Sequence, residues 1–202
     1  MKVFLEKEAE DFLENNGFDV VGRSFASGPS EVSDAILKVG LPCVLKVYGK
    51  GIIHKNKVNG IRLNLKTHSE ALVEFYELMR IKGAKGVIFQ KVFSGKEFLL
   101  GIKKTPEFGQ VIVFGSGGID VEDKKDVSFR VFPAERSDFR EMIKETKIGK
   151  KLGKLDVNFL LDNLVLLNNL CKVYPDILEL DINPLIVRRG KGVVVDAQFI
   201  RE

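Results

Sequence analysis

The chain has 202 residues and a mass of 22.6 kDa, a length that suits one large domain or two interlocked lobes. With 45% hydrophobic and 30% charged residues it can bury a full core, which excludes a disordered or collagen-like chain. The net charge of +4 is too small to predict nucleic-acid binding, for which a strongly basic, clustered domain is expected.

The N-terminus, the apolar runs and the cysteines indicate where in the cell the protein is located. The N-terminus turns acidic within its first eight residues and carries no signal-peptide pattern, and no apolar run approaches the roughly 20 residues of a membrane span. Cys43 and Cys171 lie far apart in the sequence and match neither a disulfide framework nor a zinc site. We therefore expect a cytoplasmic protein that binds no membrane and contains two buried, reduced thiols.

Hydrophobic periodicity predicts helices and strands that alternate along the chain without internal repeats. Ser30 and Ser69 are the expected N-caps of two of the helices. Helices are predicted over 7–15, 30–39, 69–79, 138–147 and 156–173. Strands are predicted over 20–21, 43–47, 61–65, 86–92, 97–103, 110–114, 127–132, 177–182, 185–187 and 192–195. Because hairpins are mixed with helices, the pattern favours an α+β fold over a doubly wound parallel sheet.

The C-terminal hairpin is the most informative segment. If its turn is Arg189-Gly190, Asn183 lies directly opposite Asp196, and facing residues point to the same side of a sheet. Asp181 shares that side, two residues before Asn183. An amide oxygen beside a carboxylate is the sparse oxygen set that Mg²⁺ uses together with substrate phosphates. By itself the pattern also fits a surface hairpin with an Asn-Pro turn.

A basic loop follows the strand that ends near Lys46. Lys46, Lys55 and backbone N–H groups at nearby glycines are suited to hold phosphate oxygens. His54 lies among these cations, which favour its neutral form and leave a nitrogen free to act as a nucleophile. A solvated basic loop without a ligand is the alternative interpretation.

Two further segments carry weaker signals. The turn at 115–118 is rich in glycine and would let backbone approach a phosphate, although most such turns are only turns. The strands around 87–93 and 97–103 are joined by a short polar link, a pattern that fits an adenine slot but also an ordinary sheet.

Taken together and in this order, these segments resemble one family. The chain is similar to the ATP-grasp β subunit of ADP-forming acyl-CoA synthetases of the acetyl-CoA type, and the resemblance covers nearly all of it. The motifs that carry the resemblance are Leu41-Pro42-Cys43-Val44-Leu45-Lys46, Ile52-Ile53-His54-Lys55, Lys125-Asp126-Val127-Ser128-Phe129-Arg130, Glu179-Leu180-Asp181-Ile182-Asn183-Pro184-Leu185 and Val195-Asp196-Ala197.

The resemblance implies an ATP-grasp fold of two lobes, each with a mostly antiparallel sheet and helices. The smaller lobe would be 20–91 with the His54 loop, and the larger metal-binding lobe would be 1–19 with 92–202. The nucleotide, ATP or ADP, would lie between the lobes.

The resemblance also implies a reaction, acyl-CoA + ADP + phosphate ⇌ acid + CoA + ATP, run with a CoA-binding α subunit in an α₂β₂-type complex. His54 would relay a phosphoryl group from a phosphohistidine of that subunit. Asn183 and Asp196 would bind Mg²⁺. The implied nucleotide-binding residues are Lys46, Lys55, Gln90, Val92 and Glu97.

The chain departs from the family after its His-Lys pair. The family continues with Ser-Asp-Val-Gly-Gly, whereas this chain has Asn56-Lys57-Val58-Asn59-Gly60. Asparagine is the residue next best suited to a positive φ, so we expect the turn at Asn59 to be kept. Two other functions remain in view: a stand-alone ATP-grasp carboxylate ligase that forms an acyl phosphate, and a non-catalytic nucleotide-binding regulator.

Overall fold

The structure is a computed structural model that describes residues 1–49, 51–52, 55–118 and 125–202. The α-helices of these residues are α1 (Glu6–Asn15), α2 (Val32–Val39), α3 (His68–Met79), α4 (Arg136–Glu145) and α5 (Lys154–Val173). The strands are β1 (Lys2–Phe4), β2 (Arg23–Ala26), β3 (Cys43–Gly49), β4 (Ile61–Leu65), β5 (Ala84–Lys91), β6 (Lys96–Thr105), β7 (Gly109–Ser116), β8 (Val127–Val131), β9 (Ile177–Arg188), β10 (Lys191–Val194) and β11 (Ala197–Arg201). Short 3₁₀ turns cover Pro29–Glu31, Lys55–Val58 and Gly149–Lys151.

The contacts divide the chain into two compact units, Met1–Val20 with Ser94–Glu202 and Val21–Phe93. Within the described residues, the larger unit contains a sheet in the order β1-β11-β9-β6-β7-β8, with β10 paired to β9, and the smaller unit contains a sheet in the order β2-β5-β3-β4. All paired strands of both sheets run antiparallel. The predicted α+β class is therefore confirmed.

The core of the larger unit forms between its sheet and α5. Apolar residues of α5 recur three and four positions apart, so Leu160, Leu164 and Leu167 lie on one face and are fully buried. They belong to the same apolar cluster as Phe98 and Phe114, whose rings stack in the sheet. Burying a leucine or phenylalanine side chain of this kind stabilises the fold by roughly 1.5–3 kcal/mol.

The smaller unit buries one face of its sheet against α2 and α3. Leu45 and Val47 of β3 and Phe89 of β5 contribute to an apolar cluster with Phe75 of α3. Because successive strand residues point to opposite faces, Lys46 and Gln90 lie on the other face, away from these helices. The two buried polar side chains therefore share one face of the sheet.

Both predicted N-caps are wrong, and the helices start one or two residues away from the predicted positions. α3 begins at His68 and its N-cap is Thr67, not Ser69. The Thr67 hydroxyl accepts a bond from the Glu70 N–H, and the Glu70 carboxylate accepts one from the Thr67 N–H, a reciprocal pair that Ser69 has no matching residue to form. Ser30 lies inside a 3₁₀ turn, and Glu31 precedes α2.

Several strands also differ. β1, β2 and β11 were not predicted, and Val20, in the predicted strand 20–21, makes an isolated bridge to Val194. The two strands expected over 177–187 form one strand, β9, which runs through Pro184. A proline is accommodated there because the pairing with β6 shifts register between Phe98 and Leu100, which leaves Asn183 and Pro184 in a bulge where no ladder N–H is needed. The Pro184 carbonyl accepts a bond from the Val195 N–H at 3.0 Å.

The structure also shows the state of the two cysteines and whether any helix could span a membrane. Cys43 and Cys171 are free and buried, as predicted, and burial raises the pKa of their thiols to about 11 and about 12. Thiols in that state are not reactive near neutral pH. No helix among the described residues is long and apolar enough to cross a lipid bilayer.

Candidate metal and nucleotide site

The C-terminal hairpin places Asn183 opposite Asp196. β10 pairs Val194 with Leu185, β11 pairs Ala197 with Ile182, and the Asn183 N–H donates to the Asp196 carbonyl at 3.0 Å. The turn is formed by Arg189 and Gly190, both at positive φ. Residues 195–196 separate β10 from β11, and the pairing of both strands with β9 follows the predicted register.

Acidic groups accumulate on the open face of β9. Leu180 and Ile182 are buried on the helix side, so Asp181 and Asn183 take the opposite side. Burial, and then the charge of Asp196, raises the pKa of Asp181 to about 6. The carboxylates of Asp181 and Asp196 therefore repel each other, and a cation bound between them would reduce this repulsion.

A glycine segment beyond β7 holds the Asn183 amide in place. The Gly118 N–H donates to Asn183 Oδ1 at 2.9 Å, and the Gly117 N–H donates to the Glu97 carbonyl at 2.9 Å. The glycine turn predicted over 115–118 thus contacts both the candidate metal residue and Glu97. Sequence reasoning missed the contact with Glu97, although a β6–β7 hairpin whose register sets Gly117 opposite Glu97 would have indicated it.

The residues of this face fit a magnesium ion. An amide oxygen keeps a second lone pair while it accepts one hydrogen bond, so Asn183 Oδ1 remains able to bind a cation beside the Asp196 carboxylate. Among the described residues, no group of three or more His, Cys, Asp or Glu side chains is arranged to hold a metal by itself. A pair of oxygens that relies on phosphates for its other ligands is the arrangement typical of Mg²⁺.

The smaller unit positions the candidate phosphate-binding residues. Lys46 on β3 is only 4% exposed, and Gln90 on the neighbouring strand β5 is buried on the same sheet face. Lys55 lies in a 3₁₀ turn, and its carbonyl accepts from the Gly60 N–H at 2.7 Å. Asn59 in this loop has φ 52°, as the departure from the family pattern predicted.

The other three candidate residues are Val92, Glu97 and His54; the first two are exposed, unlike Lys46, Lys55 and Gln90, which are buried. Val92 is exposed just after β5, and Glu97 is exposed on β6 beside Gly118. His54 lies outside the described residues, so its predicted role is carried by the sequence alone.

Replacing Asp181 with asparagine is expected to stabilise the metal-free protein at high pH. The folded-state pKa lies above the ordinary value of 3.8, so the stability contribution of Asp181 falls as pH rises from 3.8 to about 6. At pH 8 the variant should gain about 1–3 kcal/mol in the free energy of unfolding, and near pH 4 the gain should vanish. Urea unfolding at both pH values with chelator present measures this, and Asp19→Asn, at an exposed carboxylate, is the control. An equal gain at both pH values would contradict it.

Replacing Gly118 with alanine is expected to weaken nucleotide binding through Glu97. Gly118 has φ +95°, and a Cβ there would lie 2.2 Å from Glu97 Oε2, so the carboxylate must move. Gly109→Ala is a matched control, because Gly109 has φ +67° and a Cβ there would have no atom of the described residues within 4 Å. The Gly118→Ala and Gly109→Ala variants should each lose about 1–2 kcal/mol in the free energy of unfolding, because alanine is strained at positive φ.

Only Gly118→Ala should also raise the Kd for Mg-nucleotide, by about three- to tenfold. If the loss acts through Glu97, Gly118→Ala should add little to a Glu97→Gln variant. Equal binding losses in the Gly109 and Gly118 variants would rule out this role of Glu97.

The sheets and the oxygen-bearing hairpin define a class of protein. A family model described as an ATP-grasp domain matches residues 1–200, and the chain is an ATP-grasp protein. A solved acetyl-coenzyme A synthetase from Ca. Korarchaeum cryptofilum, in complex with coenzyme A and Ca-AMPCP, superimposes with a TM-score of 0.89 at 30% identity, covering 100% of this chain and 94% of that one.

Curated relatives narrow the class. The β subunit of an ADP-forming acetate–CoA ligase of Pyrococcus furiosus is 34% identical, covering 97% of this chain and 90% of the relative. An ADP-forming acetate–CoA ligase of Archaeoglobus fulgidus is 37% identical over 98% of this chain, which spans only 30% of that relative. The chain belongs to the family of ATP-grasp β subunits and domains of ADP-forming acyl-CoA synthetases.

Proposed function

We propose that the chain is the nucleotide-binding β subunit of an ADP-forming acyl-CoA synthetase, which converts acyl-CoA, ADP and phosphate to acid, CoA and ATP. The observation that carries the proposal is the hairpin register that sets Asn183 opposite Asp196, with Gly118 holding the amide. The named relatives are acetate–CoA ligases, which supports this function over a stand-alone carboxylate ligase.

Asn183 and Asp196 supply the protein oxygens for Mg²⁺. The ion offsets negative charge on the nucleotide phosphates when it is bound. Lys46 and Lys55 bring further positive charge to the phosphates, and the low exposure of Lys46 strengthens its attraction to an anion. Gln90, Val92 and Glu97 contact the nucleoside, Glu97 through the ribose.

His54 carries the phosphoryl group in two steps. A neutral ring nitrogen attacks a phosphohistidine of the α subunit, so that one P–N bond forms on His54 as the other breaks. The β-phosphate oxygen of ADP then displaces the imidazole, forming the new P–O bond of ATP and returning neutral His54. A Korarchaeum synthetase has been solved with its phosphohistidine segment pointing towards the nucleotide-binding site, which supports such a relay.

The relay requires a partner. A CoA-binding α subunit supplies the phosphohistidine and the acyl-transfer chemistry, in an α₂β₂-type complex located in the cytoplasm. The separate β subunit of the Pyrococcus ligase supports a two-chain arrangement.

Reconstitution tests the proposed function. The tagged chain is used to co-purify its partner from the native host, and ATP formation from acetyl-CoA, ADP and phosphate is measured for each component and for the mixture. We expect ATP only when both chains are present. ATP-dependent acyl-phosphate formation by the chain alone would instead identify a stand-alone ligase.

A further inference from the structure

A cavity of about 470 Å³ opens in the larger unit at the tip of the β9–β10 hairpin. Three segments meet there: the start of β6, the hairpin turn and the first turn of α5. Its walls include Ser94, Lys96, Asp156, Val187, Arg188 and Arg189. The volume is within the range of small-molecule sites.

The walls of the cavity are strongly cationic. Asp156 is the one acidic residue that lines it, and this carboxylate already accepts the Gly190 N–H at 2.7 Å. Lys96 donates to the Lys151 carbonyl at 3.0 Å, but within the described residues the Arg188 and Arg189 side chains have neither a hydrogen-bond nor an ion-pair partner. Two guanidinium groups are thus available to a ligand.

The surrounding surface adds to this charge. Further exposed cations on these segments and on the 3₁₀ turn just before α5 are Lys150, Lys151, Lys154 and Lys191. With Lys96 and the two arginines they carry seven positive charges against the single negative charge of Asp156, a local charge of +6, whereas the whole chain has a net charge of only +4. Positive charge is therefore concentrated on these segments of the larger unit. Such concentration raises the local potential and attracts anions.

The cavity is separate from the candidate metal face. Lys96 and Glu97 are neighbours in β6 and point to opposite sides of the sheet. The Glu97 carboxylate lies beside Gly118 on the metal side, whereas the Lys96 ammonium reaches the turn that leads into α5. A ligand that contacts Lys96 in the cavity therefore lies on the side of the sheet away from the candidate metal face of Asn183 and Asp196.

We propose that this cavity is a second anion site that binds a diphosphate group, either as free pyrophosphate or as part of a nucleotide. Guanidinium groups offer paired N–H donors that match phosphate oxygens, and two adjacent arginines suit two linked phosphates. The Ser94 hydroxyl and the Lys96 ammonium provide further donors at the wall.

Site-resolved titration tests the proposal. Amide shifts of Ser94, Lys96 and residues 188–191 in the isotope-labelled full chain are followed against inorganic pyrophosphate, and in a second arm against ADP, without divalent cations. The variant Arg188→Gln/Arg189→Asn removes both guanidinium groups, and asparagine tolerates the positive φ of 53° at position 189. The control Arg140→Gln/Lys85→Gln removes two exposed cations elsewhere.

We expect saturable shifts whose Kd rises about tenfold or more in the arginine variant and less than about twofold in the control. Shifts with ADP as well as pyrophosphate would identify a nucleotide diphosphate, and shifts with pyrophosphate alone the free anion. Equal losses in both variants would show diffuse charge and overturn the proposal. The proposal would also be overturned if the amide shifts did not change with either ligand but did change with a polyglutamate peptide, since the surface would then bind an acidic protein.

Discussion

Replacing His54 with alanine is expected to abolish ATP formation by the complex, by about a thousandfold or more, while Mg-nucleotide binding by the chain is retained. The reason is that, in the proposed relay, the imidazole nitrogen forms the covalent bond to phosphorus, and the alanine side chain carries no nucleophile. The measurement pairs turnover of the reconstituted complex with calorimetric titration of the chain.

The chain offers a matched control for this experiment. It contains one other histidine, His68, which begins α3 and whose Nε2 lies 2.9 Å from Ser33 Oγ on the surface. His68→Gln should keep full turnover. Unchanged turnover in His54→Ala would favour the stand-alone ligase, and retained binding without phosphorylation of any histidine would favour a non-catalytic regulator.

Replacing Asp196 with asparagine is expected to weaken Mg-dependent nucleotide binding by about a hundredfold. In the proposed site, one of the two protein oxygens that hold the ion then loses its charge, so the ion is held less tightly. Titration of ADP at a series of Mg²⁺ concentrations measures the change.

Two controls distinguish a loss of metal binding from a folding defect. Asp196→Asn reduces like-charge repulsion with Asp181, so its free energy of unfolding without metal should not fall. Asp19→Asn, at an exposed carboxylate of the same unit, should bind Mg-nucleotide normally. A hundredfold loss in both variants would mean that bulk charge, and not a specific ligand, is being measured.

The metal face was predictable because a hairpin has few free parameters. Once the turn is placed at Arg189-Gly190, the strand period of two decides which residues oppose each other and which side they face. Glycine is favoured in such turns because it adopts positive φ readily, and both residues do adopt positive φ. Burial of Leu180 and Ile182 then leaves the open side to Asp181 and Asn183.

What was missed depends on pairing between distant segments. β11 carries an alternating pattern too short to stand out, and it is a strand because β1 and β9 pair with it on either side. The bond from Gly118 to Asn183 joins positions 65 residues apart, and local periodicity contains no information on such a contact. Thr67 precedes α3 because Glu70 completes its cap, a pairing visible in the sequence but overlooked beside Ser69.

Calorimetric titration of the purified chain with ADP, in the presence and absence of Mg²⁺, tests the central claim most directly. The chain should bind ADP with Mg²⁺, and removal of the cation should weaken binding because the Asn183 and Asp196 oxygens then contribute nothing to the phosphates. Binding that is indifferent to Mg²⁺, or no binding at all, would contradict it.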